Sequence, residues 1–158
     1  MPGTIETALQ AIAGAHKKLK PPAYSLQVKS VRRALIEPES LPGQDIPAVF
    51  VIRPPGSSGT IVPLGEAAYL ETLRVQIFAY VRTQTGRNPE DDGLATRAEA
   101  ALADLKRLQM ADPTYGTRFI KNSVQREDMN DAAFDETGAM VGLALDVIVA
   151  YDTNQTPP

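Results

Sequence analysis

Strict alternation of apolar and polar positions is clearest over Tyr69–Arg82, YLETLRVQIFAYVR. Leu73, Val75, Ile77, Ala79 and Val81 fall on one side, and Arg74, Gln76, Phe78, Tyr80 and Arg82 on the other. Side chains of a strand point to opposite faces with period two, so this stretch predicts a long β-strand with one apolar and one mixed face. The same period recurs over Ala139–Tyr151, where Val141, Leu143, Leu145, Val147 and Val149 alternate with Met140, Gly142, Ala144, Asp146 and Ile148. It is weaker over Leu26–Ile36 and Phe119–Arg126, which also read as strands. The apolar run Ile46–Arg53, IPAVFVIR, predicts a short buried strand, with Pro47 tolerated where no ladder donor is needed.

Two stretches carry a helical period instead. In Thr4–Leu19 the residues Ile5, Leu9, Ile12 and Leu19 line one stripe, Thr4 can cap the start, and Pro21-Pro22 stops the helix. His16, the sole histidine, is expected at a surface or boundary position. The second helix is expected to open at Asn88-Pro89, with Glu90, Asp91 and Asp92 against the positive end of its dipole, and to run to about Met110. Its stripe is Leu94, Ala98, Ala101, Leu102, Leu105 and Leu108, with Arg97, Glu99, Asp104, Lys106 and Arg107 outside.

Breakers divide these elements. Glu37–Asp45 and Asp112–Gly116 read as turns. Pro54–Ala68 is a long irregular segment, an excursion or extended hairpin with Thr60–Val62 flanking a turn. Glu127–Gly138 reads as an acidic loop, and 153–158 as a flexible C-terminal tail. The order predicts an α+β fold: one domain over 1–158 with its core at about 4–152. It would hold a single, mostly antiparallel sheet of about five strands, with both helices packed on one face. The other face, with Arg74, Gln76, Phe78, Tyr80 and Arg82, would lack a cover within the chain, as a solvated surface or a subunit interface does.

Composition narrows the chemistry. A chain of 158 residues without cysteine has neither disulfides nor thiolate metal sites. The net charge of −3 gives no global attraction to nucleic acid or to anionic membranes. No apolar run reaches the roughly 18 residues needed to span a bilayer, and the N-terminus lacks a signal-peptide pattern. Gly56, Gly59 and Gly65 match no phosphate-binding fingerprint, and the acidic stretch at 127–138 lacks the ligand spacing of a calcium loop. One histidine leaves Ser57, Ser58 and Thr60 without a plausible triad. No catalytic, cofactor or metal site is therefore expected. Lys29, Arg32 and Arg33 form a small basic patch, suited to solvent, to an acidic partner surface or to passing phosphates.

The arrangement of landmarks resembles the tail-terminator (minor tail, tail-completion) proteins of long-tailed bacteriophages. The resemblance runs through the N-terminal helix, VKSVRRALIEP, the proline-led strand IPAVFVI and the long strand LETLRVQIFAYVR. It continues with the NPEDDG helix head running into ALADLKRL, the MADPTYG turn and the closing strand VGLALDVIVAYDT, and so covers residues 4–152. It implies a homohexameric ring that caps the head-proximal end of the tail tube, stops tube polymerisation and meets the head-side connector. It implies no enzyme activity and no cofactor, a place in the virion after synthesis in the host cytoplasm, and DNA only passing through the lumen. The mixed strand face would then contribute to the neighbour contact or the lumen. Gly56, Ser57, Ser58 and Thr60, with Glu127, Asp128, Asp131, Asp135 and Glu136, would meet an adjacent ring or line the bore. A head-completion or connector protein, a tail-tube subunit and a small-ligand-binding regulatory domain are the alternative readings.

Overall fold

The computed structural model describes residues 4–55, 61–63, 68–83, 93–134 and 137–152, with the backbone alone for 127–134 and 151–152. The elements are α1 (Thr4–His16), β1 (Ser30–Arg32), β2 (Ala48–Ile52), β3 (Ile61–Pro63), β4 (Ala68–Arg82), α2 (Leu94–Ala111), β5 (Ile120–Phe134) and β6 (Gly138–Asp152). Two short 3-10 turns, Pro38–Ser40 and Gly43–Asp45, precede β2.

The fold is α+β, with six strands in the order β1-β2-β4-β6-β5 and β3 beside the start of β4. Every pairing is antiparallel except β1 with β2. Strand β4 is the axis of the sheet. One edge pairs with β6 from Ala68↔Asp152 to Arg82↔Gly138, and the other is shared between β3 at Tyr69–Glu71 and β2 at Gln76–Tyr80. The predicted apolar face of β4 is buried along its length and continues through Val49 and Val51 of β2 and Val141–Val149 of β6. Both helices lie on that face: α1 contributes Ile5, Ala8, Leu9 and Ile12, and α2 contributes Leu94, Ala98, Ala101, Leu102 and Leu105.

Several sequence expectations give way. The strand expected over Leu26–Ile36 shortens to Ser30–Arg32, because β2 offers a parallel partner only from Ala48 to Phe50. Leu26 instead enters the core. The acidic stretch is not a loop as far as Phe134: β5 runs through Glu127, Asp128 and Asp131, with register shifts after Gln125 and Met129. A fully formed partner strand overrides the poor strand propensity of those residues, and the shifts are where the ladder yields. Ile61–Pro63 of the irregular segment forms β3 and stays exposed. The predicted start of the second helix at Asn88-Pro89 and the C-terminal tail at 153–158 lie outside the described residues, and α2 follows Gly93 in a left-handed conformation at φ 72°.

Two polar residues were misplaced by periodicity. His16 is fully buried rather than peripheral: the last turn of α1 tucks it beneath Tyr115, ring centroids 5.8 Å apart, with Nδ1 donating to the Ile12 carbonyl at 2.8 Å. Asp104 does not line the outside of α2. It is 1% exposed, and its Oδ2 accepts a 2.7 Å hydrogen bond from the Leu26 backbone N–H. This bond ties the irregular chain ahead of β1 to the helix. Asp104→Ala should cost about 2 kcal/mol, because a buried donor loses its charged acceptor. Asp104→Asn, which keeps an oxygen there, should cost less, and urea titrations of the two variants compare them. Equal stability of wild type and the alanine variant would show the bond to be dispensable.

Candidate functional site

The second face of the sheet was expected to be open. It is open over only half its length. At the Tyr80 end, Phe78 and Tyr80 are 7% and 3% exposed and pack with Leu41, Ala48 and Phe50 into a second small core. Ile36 and Ile46 border it, so the segment before β2 folds back over the sheet. Phe78 lies across from Gly142 in the β4–β6 register, and a Cβ at Gly142 would sit 2.6 Å from its ring. Two of the five residues proposed for an intersubunit face are therefore occupied within the chain.

The other half is mixed and accessible. Leu70, Thr72, Arg74 and Gln76 of β4 are half-buried, as are Asp146 and Ile148 of β6. Asn122 and Val124 of β5 continue the same face and are exposed. Arg74 is opposite Asp146 in the ladder, and Asp146 also pairs with Arg126 at 3.6 Å. The patch is apolar in part and gathers Arg74 and Arg126 around Asp146. It carries no group set up for proton transfer or nucleophilic attack, and its chemistry suits contact with another protein surface.

The basic patch read from the sequence does not act as one. Arg32 pairs with Asp45 at 2.8 Å, and Arg33 pairs with Glu6 at 2.9 Å while its Nε donates to the Val51 carbonyl. These contacts tie β1 to the turn before β2 and to α1. Lys29 is exposed and lines a cavity of about 590 Å³ at the end of β4. Arg82 and Arg97 line the same cavity. The structure thus unites Lys29 and Arg82, which periodicity had placed in separate sites, with Arg97, which it had placed on the outer face of α2. Arg97 Nη2 donates to the Arg82 carbonyl at 2.8 Å. No local signal marks this grouping, since its members come from three segments far apart in the chain.

Of the remaining candidates, Glu127, Asp128 and Asp131 lie along the β5 backbone. Gly56, Ser57, Ser58, Thr60, Asp135 and Glu136 fall outside the described residues. Among the described residues no three His, Asp or Glu side chains are grouped to hold a metal ion, and no helix is long and apolar enough to cross a membrane. Three groups have displaced pKa values. Burial pushes His16 down to about 4, partly offset by its bond to Ile12. Burial, with the nearby Asp112 charge, raises the Tyr115 phenol. The Thr114 hydroxyl holds the half-buried Asp112 carboxyl below its ordinary value. All three belong to the seam between α1 and the turn after α2, which has the character of packing and turn chemistry rather than of a reactive centre.

A scan of protein-family models finds no match to the sequence, and a search of curated proteins finds no match either.

Proposed function

We propose that the chain is a structural subunit of a long-tailed bacteriophage, a ring-forming tail terminator that closes the head-proximal end of the tail tube and joins it to the head connector. The observation that carries this reading is the open half of the second sheet face. A mixed surface around Arg74, Gln76, Ile148 and Val124 sits on a sheet whose opposite face is covered by both helices. Ring assembly uses heterologous contacts, in which one patch meets a different patch on the neighbour, and a half-covered sheet supplies one such patch. The succession of landmarks along residues 4–152 supports the same reading. On this reading the protein is not an enzyme and needs no cofactor. Its partners are further copies of itself, the tube protein and the connector, and its place is the neck end of the virion tail.

The test is the mass of the protein with and without purified tube protein, together with the length of tubes grown in its presence. Ring-sized particles on tube ends and arrested growth are expected. Arg74→Glu, at a half-buried position outside both cores, should weaken assembly while leaving the fold intact by circular dichroism. Protein that remains monomeric with the tube and leaves tube length unchanged overturns the reading. Binding to the connector alone would instead identify a head-completion protein.

A further inference from the structure

We infer that the cavity at the end of β4 binds a small oxyanion ligand, a phosphate- or carboxylate-bearing molecule without an aromatic base. Its volume of about 590 Å³ lies within the usual range for small-molecule sites, roughly 300–1,000 Å³. Among the described residues the charge on its walls has one sign: Lys29, Arg82 and Arg97 line it, and no carboxylate does. Like charges converging on one cleft repel each other, and a bound anion relieves that repulsion.

The cations are placed differently, and the placement matters. Arg97 is held to the wall by its bond to the Arg82 carbonyl. Arg82 reaches toward the turn before β2, where a Cβ on Gly43 would lie 3.4 Å from its Nη1. Among the described residues no carboxylate forms an ion pair with Arg82 or Lys29. Guanidinium groups match planar carboxylate and phosphate edges with paired hydrogen bonds, and an ammonium adds a point charge.

A second observation comes from Thr83, which also lines the cavity. The residue is 7% exposed, and among the described residues its buried hydroxyl has no hydrogen-bond partner. Buried polar groups are nearly always satisfied, and an oxyanion seated in the cleft is one way to satisfy this one. The rest of the wall is largely aliphatic, with Leu26 and Ile46 beside the polar Ser25 and Gln27, and no aromatic ring lines it among the described residues. A stacked nucleobase would find no platform there, so the body of the ligand is compact and non-aromatic.

Titration calorimetry and thermal unfolding of the full chain at low ionic strength test the site, with inorganic phosphate, pyrophosphate and citrate as probes and chloride at matched ionic strength as control. Saturable binding and a rise in Tm with a probe, absent with chloride, are expected. A stronger response to pyrophosphate assigns the ligand to the phosphates, and a stronger response to citrate to the carboxylates. Arg82→Gln and Lys29→Gln should each weaken binding by about tenfold or more, while Arg74→Gln on the open face should leave it unchanged. Lys29 is exposed, so its variant remains informative if Arg82→Gln fails to fold. Absence of saturable binding for all three probes, or undiminished binding by Lys29→Gln, overturns the inference. Ring formation is not scored, so the outcome stands apart from the assembly reading.

Discussion

Phe50→Ala should lower the free energy of unfolding by about 3–5 kcal/mol, the range for removing a fully buried aromatic ring. Phe50 is 0% exposed, although it projects from β2 on the side of the sheet away from both helices. It pairs with Phe78 across the β2–β4 ladder and packs with Leu41 and Tyr80. The alternation of β4 assigns that side to solvent or to a neighbouring subunit, even though the apolar run of β2 itself reads as buried, and truncating a ring on such a surface would cost under about 1 kcal/mol. The two accounts differ by several-fold, and urea unfolding separates them. The segment from Ile36 to Ile46 should loosen in the variant, seen as faster amide exchange at Leu41, whose N–H bonds to the Pro38 carbonyl. A cost below about 1 kcal/mol would show that this segment is not held as a lid over the sheet.

The second large effect is on pH dependence. His16 is held neutral in the fold, with its pKa pushed down to about 4 from an ordinary 6.5. Between those values the unfolded chain takes up a proton that the folded chain refuses, so lowering the pH favours unfolding. The contribution of His16 is fully present above about pH 6.5, falls as the pH drops toward 4, and levels off below. About 2 kcal/mol should be lost by pH 5 and about 3 kcal/mol by pH 4. Tyr115, stacked on the imidazole, remains neutral throughout, because its own pKa is raised. His16→Gln removes the titration. Its urea midpoint should be nearly level between pH 7 and pH 5, while that of the wild type falls. Parallel slopes for the two proteins over that interval would rule His16 out as the source.

What could be read from the sequence follows from what period reports. Period reports which side of an element is apolar, and it located the buried faces of β4, β6 and α2 because those faces are continuous. It does not report what arrives from elsewhere in the chain. Asp104 reads as a solvated helix position, yet the Leu26 N–H comes to it from 78 residues away. His16 occupies a stripe position but looks polar, and only the approach of Tyr115 closes it off. Phe78 and Tyr80 alternate correctly and were still misassigned, because the cover is a turn-rich segment with no period of its own. The cavity is the extreme case: Lys29, Arg82 and Arg97 each look like ordinary surface cations, and only the topology makes them neighbours.

The glycine under Phe78 also bears on how β4 recognises β6. Sliding one strand past the other by a single residue would turn its apolar face outward, so burial forbids that error. A slip of two residues keeps every side chain on its own face, and burial is silent about it. Gly142 is not silent. In the native alignment the Phe78 ring lies over a residue with no side chain; two residues in either direction it would meet Ala144 or Met140. Gly138 makes the same demand beside Tyr80, where an added Cβ would lie 2.6 Å from the phenol oxygen. The two glycines act as notches that accept the aromatic rings in one position only. They select that alignment for two strands separated in the chain by residues 83–137.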